Sequence, residues 1–135
     1  MSQHFSIRLP HWQKNKSVKL KDRISTNEMY RIHPHVMKKV NDAFFAEVAV
    51  AVRKYKIKPV KVYPVEFRFA FCLTGRLLDW DNTSAMAKEI IDGLRYAGIL
   101  KDDSPSYCKG GYLGIEKSEH GFSFCNVEIV SPRSP

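Results

Sequence analysis

A chain of 135 residues with 44% hydrophobic content is sized for one domain with a real core. It carries 22 Lys and Arg against 14 Asp and Glu, a net charge of +8, which points to a polyanionic partner. No run approaches the roughly 20 apolar residues of a membrane span, so no membrane partner is expected.

The charge is uneven. Residues 1–62 hold 14 basic and 4 acidic side chains, and residues 63–135 hold 8 and 10. One half is suited to attract a polyanion, the other to hold cations. Cys72, Cys108 and Cys125 contain no Cys-x-x-Cys, and an odd number leaves one unpaired in any disulfide scheme. Thiols in a reducing cytoplasm are the expectation, since the N-terminus has no apolar signal core.

In chain order, Phe5–Leu9 alternates as a short strand and stops at Pro10. Residues 11–31 are polar and basic, a loop or arm in which Val18–Leu20 could add a strand. From about His35 to Tyr55, Val36, Val40, Phe44, Val48 and Val52 recur at i+4, the stripe of an amphipathic helix that Pro34 can open. Tyr63–Leu73 is a long strand with Val65, Phe67, Phe69 and Phe71 on its core side.

A second helix over Asn82–Ala97 buries Met86, Ile90, Leu94 and Ala97, and Gly98 ends it. Tyr107–Glu116 and Phe122–Val130 read as strands joined as a hairpin through Ser118–Gly121. The order β-α-β-α-β-β gives an α+β domain over residues 1–130, with a mixed or antiparallel sheet covered by two main helices. Residues 1–24 form its basic arm and first strand, and 131–135 a loose tail.

The chemistry gathers around the second helix. Asp79 and Asp81 stand two residues apart, which at a strand end sends both side chains to one face. Asp81 or Asn82 could instead cap the helix, but capping accounts for one carboxylate and not two. Lys88 and Asp92 share the face opposite the apolar stripe, either as an ordinary surface pair or as a cation aimed at a phosphate. Asp102-Asp103 follows; if the chain reverses at Gly98, one of these carboxylates returns to Asp79 and Asp81. Converging carboxylates repel unless a cation sits among them. Oxygen-only donors select Mg²⁺, with Mn²⁺ as a substitute.

Other groups carry less. His33-Pro34-His35 is the only close histidine pair, with no third-ligand spacing for zinc. Tyr30, Tyr107, Tyr112 and Trp12 are candidate base contacts.

The ordered set Asp79-Trp80-Asp81-Asn82, Lys88, Asp92-Gly93-Leu94, Ala97-Gly98 and Asp102-Asp103 resembles the RusA-type Holliday-junction resolvases, a family common in prophages. Ser25-Thr26-Asn27-Glu28-Met29-Tyr30 resembles that family's N-terminal pattern, and the likeness covers roughly residues 25–130. The resemblance implies a homodimeric, Mg²⁺-dependent endonuclease that nicks four-way DNA junctions in pairs. It implies Asp79, Asp81, Lys88 and Asp103 as catalytic residues, with Asp79, Asp81, Asp103 and the adjacent Asp102 as the metal carboxylates.

Phosphate contacts are expected from Lys14, Lys16, Lys19, Lys21, Arg23, Asn27, Arg31, Lys38, Lys39 and Arg76. The spacing from Asp81 to Lys88 is about three residues longer than the family pattern, which displaces Lys88 by about 5 Å along a helix axis. Two rival readings use the same residues. One is a nuclease for flaps or forks, the other a basic DNA-binding protein without cleavage.

Overall fold

Val65–Leu73 forms the strand around which the molecule is built, because its row of Val65, Phe67, Phe69 and Phe71 has to be covered. The computed structural model describes residues 2–132, the side chain of Tyr112 excepted. The chain runs β1 (Ser2–Arg8), α1 (Thr26–Arg31), α2 (Pro34–Lys54), β2 (Val65–Leu73), a 3-10 turn (Trp80–Thr83), α3 (Ser84–Tyr96), β3 (Cys108–Lys117) and β4 (Phe124–Val130). It is an α+β fold with a mixed sheet, its four strands in the order β1-β4-β2-β3.

The core is one cluster. Val40, Phe44 and Val48 from α2 and Met86, Ile90 and Leu94 from α3 pack with the inward row of β2 and with Phe5, Ile7, Val127 and Ile129. Full burial of each large apolar side chain contributes about 1.5–3 kcal/mol. The two long helices approach closely at Gly93, where an added Cβ would lie 2.9 Å from Val48 Cγ2. Among the described residues no helix is long and apolar enough to cross a membrane.

The hairpin expected through Ser118–Gly121 is not formed, because β2 lies between β3 and β4. It pairs parallel with β3 and antiparallel with β4. A strand this apolar is best satisfied with both of its edges hydrogen-bonded. The connection instead passes the end of β2, where Ser118 N–H donates to Leu73 O at 2.8 Å. The parallel β2–β3 pair needs a long crossover, and the 3-10 turn with α3 supplies it.

The basic arm also differs from expectation. Val18–Leu20 adds no strand. The arm is closed by a bridge between Trp12 and Lys21, with backbone N···O distances of 2.9 and 2.8 Å. Trp12, expected as a base contact, is 8% exposed, and its Nε1 donates to Arg23 O at 2.7 Å. It anchors the arm rather than facing a ligand. The arm ends in α1, where Ser25 Oγ accepts from Glu28 N–H and a Glu28 carboxylate oxygen accepts from Ser25 N–H, a reciprocal cap. The expected loose tail falls outside the described residues from 133 onward.

Candidate active site

β2 delivers the chain to a turn at Thr74-Gly75, with Gly75 at a φ of 64°. That turn is held by a half-buried polar knot. Asp22 accepts from Arg23 Nε at 2.9 Å, Thr74 Oγ1 at 2.7 Å and Ser123 Oγ at 2.5 Å. Burial works against the Asp22 charge, but the hydrogen bonds from Arg23, Ser123 and Thr74 outweigh it and hold its pKa at about 2. The Arg23 guanidinium also donates to the carbonyls of Thr74 and Arg76. Arg23 is therefore a structural clamp, and its expected role as a phosphate contact does not carry over.

The clamped loop leads into the 3-10 turn. Asp79 stands at its N-cap without a side-chain capping bond, and the following helix start at Thr83 has none either. Among the described residues the carboxylates of Asp79 and Asp81 make no hydrogen bond or ion pair. The capping alternative is thereby removed for Asp81, and among the described residues the side chain of Asn82 makes no capping bond either. It is the Asp81 carbonyl that is engaged, accepting from Ser84 Oγ at 2.9 Å and Thr26 Oγ1 at 3.3 Å, which ties the turn to α1 and α3. The side chain of Trp80 between them is 70% exposed.

Lys88, Asp92 and Arg95 lie along one face of α3 at steps of four and three. The helix ends at Tyr96; Gly98, with a φ of 79°, reverses the chain, and Ile99 N–H closes back on Leu94 O at 2.9 Å. The reversal returns Asp102 and Asp103 to this face. Lys88 Nζ is 3.6 Å from Asp103 Oδ2 and 3.5 Å from Asp92 Oδ1. Arg95 lies 3.6 Å from Asp103 Oδ2, 3.7 Å from Asp92 Oδ1 and 3.8 Å from Asp102 Oδ1.

The Asp103 backbone N–H donates to Asp102 Oδ1 at 2.9 Å and, with help from Ser104 and Arg95, holds that carboxyl below the usual range. Lys88 and Asp103 share a concavity floored by Phe69, Leu113 and Gly111. Gly111 is obligatory there, since a Cβ would fall 1.7 Å from Phe67 O.

One turn along α3, Glu89 is 8% exposed. The Asn41 amide nitrogen, oriented to satisfy both groups, donates to Glu89 Oε1 at 2.7 Å and to Oε2 at 2.9 Å. Burial, reinforced by the nearby Asp92 charge and opposed by Lys88, raises the Glu89 pKa to about 7.

The structure thus gathers the sequence-predicted residues in two neighbouring groups. Asp79 and Asn82 open on a cleft with Lys19, Lys21 and Arg76. Lys88, Asp102 and Asp103 gather along α3 and the segment after it, joined by Asp92 and by Arg95, which was not among the residues expected from the sequence. Its spacing, three residues after Asp92 and seven after Lys88, is the signal that could have found it. Lys14, Lys16, Asn27, Arg31 and Lys39 are exposed and point to no internal partner among the described residues. Lys21 pairs with Glu28 at 2.5 Å and Lys38 with Asp42 at 3.0 Å. The side chain of Tyr112 lies outside the described residues.

In kind, the donors fit a hard divalent cation. They are all carboxylate oxygens; among the described residues Asp79 and Asp81 have no side-chain partners, and Asp92 Oδ1 is buried with no hydrogen bond. Among the described residues, however, no three such side chains are drawn together closely enough to hold an ion, and Asp92, Asp102 and Asp103 are ion-paired with Lys88 or Arg95. Compared with family models and with curated proteins, the chain matches none.

Proposed function

We propose that the chain is a Mg²⁺-dependent, structure-selective endonuclease that resolves four-way DNA junctions by paired nicks. The observation that carries the reading is the chain reversal at Gly98, which sets Asp103 against Lys88 beside a turn whose two carboxylates have no structural task. Asp79, Asp81 and Asp103 would hold the ion, with Asp102 next to them. Mg²⁺ bound there would supply Lewis-acid polarisation of the phosphate and a more acidic water. Lys88, two-thirds exposed, presents an ammonium at the rim of the Asp103 concavity, where a scissile phosphate could be oriented and its developing charge offset.

The exposed arm lysines and Arg31, Lys39 and Arg76 supply sequence-independent phosphate contacts, as recognition by shape requires. A four-way junction presents two equivalent strands, so a two-fold homodimer with one site per copy suits paired cutting. Among the described residues the cysteines are all free, in keeping with a reducing bacterial or phage-infected cytoplasm.

A second reading, DNA binding without cleavage, is favoured by the separation of the carboxylates into two groups. Cleavage of a synthetic four-way junction with and without Mg²⁺, beside duplex, flap and fork controls, decides between them for wild type and Asp81→Asn. Paired Mg²⁺-dependent nicks in the junction, absent in the variant, are the expected result. Equal cutting of flaps and forks would replace the junction reading with a general branched-DNA nuclease. Tight binding with no cutting in Mg²⁺ or Mn²⁺ would leave a DNA-binding protein.

A further inference from the structure

A cleft of about 770 Å³ lies between the basic arm and the loop that follows β2. Residues 19–23 line it from the arm and residues 74–79 from the loop. The two walls are stapled together, because the Arg23 guanidinium donates to the Thr74 and Arg76 carbonyls and Asp22 accepts from Thr74 Oγ1 at 2.7 Å. The bridge between Trp12 and Lys21 holds the backbone of the arm itself. The cleft is therefore preformed.

Most of its charges already have partners. Asp22 and Arg23 are engaged in the knot, and Lys21 pairs with Glu28 at 2.5 Å. Among the described residues the side chains of Lys19, Arg76 and Asp79 have none. Beside each of the two unpaired cations stands an exposed leucine. Leu20, 54% exposed, follows Lys19 on the arm, and Leu77, 43% exposed, follows Arg76 on the loop. A single exposed leucine is ordinary surface. Here each wall of one cleft presents the same unit, an apolar side chain next to a free positive charge.

A ligand that matches this pattern alternates apolar faces with negative charge along its length. A duplex keeps its base faces inside the stack and offers a surface cleft only sugars and phosphates. An unpaired strand offers phosphates and base faces together. We propose that the cleft binds an unpaired strand of DNA, with its phosphates against Lys19 and Arg76 and its bases against Leu20 and Leu77, and so brings that strand to Asp79 in the same cleft. The proposal rests on the endonuclease reading and adds to it a feature of the substrate. The DNA beside the cut is opened, as it is where strands part in a branched molecule and is not in intact duplex.

The test is binding of a fluorescein-labelled oligothymidylate of about ten nucleotides, and of a duplex of equal length, to the full chain. Anisotropy is read in EDTA, so that no strand is cut. Wild type is compared with Leu20→Ser, Leu77→Ser and the double variant, each checked for native circular dichroism. Serine removes the apolar contact and leaves the charge alone. The ratio of single-strand to duplex affinity should fall about tenfold in the double variant, with the salt slope unchanged. Each single variant should show part of that fall, so the failure of one to fold leaves the other. Arg76→Gln should instead lower the single-strand salt slope by about 0.7, the loss of one phosphate contact. An unchanged ratio in the folded leucine variants would overturn the assignment of the cleft, as would a wild-type chain that does not bind oligothymidylate at low salt. Neither result bears on the endonuclease reading, which is decided separately by Mg²⁺-dependent junction cleavage with wild type.

Discussion

Lys88 Nζ lies 3.6 Å from Asp103 Oδ2, although the remainder of α3, the Gly98 reversal and a loop separate them in the chain. The contact joins a helix to the segment that feeds β3, and both side chains line the concavity over Phe69 and Leu113. A lysine fixed only by its own helix would pair with Asp92 alone, four residues away.

If Lys88 meets the phosphate, its removal should affect the chemical step far more than the fold or DNA affinity. Lys88→Ala is expected to lower the single-turnover rate of junction cleavage by about 10²–10³, the usual effect of removing one group that stabilises transition-state charge. Junction binding in Ca²⁺ should fall by much less, since one exposed lysine is one phosphate contact among many. A variant that cleaves at the wild-type rate, in quench-flow with enzyme in excess, would remove Lys88 from the site.

Glu89 predicts how stability depends on pH. Its folded pKa is raised from 4.5 to about 7, so the folded protein keeps the proton that the unfolded chain has already released. Stability from this group is full below about pH 4.5 and is lost as pH rises through 7. The shift corresponds to about 3 kcal/mol. Glu89→Gln keeps the shape and a partner for Asn41 but cannot ionise. It should match wild type near pH 4.5 and exceed it at pH 8 in urea titrations. A constant difference between the two proteins across that range would mean that Glu89 ionises normally.

The sequence was legible where periodicity and burial coincide. The α2 stripe of Val40, Phe44 and Val48, the aromatic row of β2 and the α3 stripe of Met86, Ile90 and Leu94 all stand where the spacing placed them. Ala97 is the exception, exposed because α3 ends one residue earlier. Strand pairing was not legible, since alternation in β3 and β4 says which face is buried and not which strand lies beside which. The short helix α1 is hidden by the basic charge of residues 11–31, while the Ser25–Glu28 box that starts it is a local signal.

At the site, the reversal at Gly98 was foreseeable, but the burial of Trp12 and the clamping of Arg23 were not. The clamping of Arg23 depends on a knot made with Thr74 and Ser123, far away in the sequence, and Trp12 donates to the Arg23 carbonyl.

Salt dependence separates the arm from the site. Lys14, Lys16 and Lys19 are exposed on a segment anchored through Trp12 and Arg23. If all three contact phosphates, their joint replacement by alanine should reduce the slope of log affinity against log salt by about 2–3, since each phosphate left without its lysine removes about 0.9. Cleavage at saturating DNA should persist. Fluorescence anisotropy across a salt series from low to above-physiological concentration reads the slope, and an unchanged slope would move the DNA to another face.

Trp80 is 70% exposed between two carboxylates that have no partners among the described residues, on a turn whose backbone is tied to α1 and α3. Nothing in the core needs an indole there, and exposing so much apolar surface has a cost. Tyr30, 85% exposed on α1, is a second uncovered ring. Base stacking on an aromatic side chain contributes about 1–3 kcal/mol per base and requires a base that is not already stacked within a duplex. Trp80→Ala should therefore weaken binding to a junction or fork by roughly 5- to 150-fold, with little change for intact duplex. Thermal stability should hold, because the side chain is mostly in water. Competition binding against the two kinds of DNA measures the ratio directly. An equal weakening for duplex and branched DNA would show that Trp80 contacts the backbone and not an opened base.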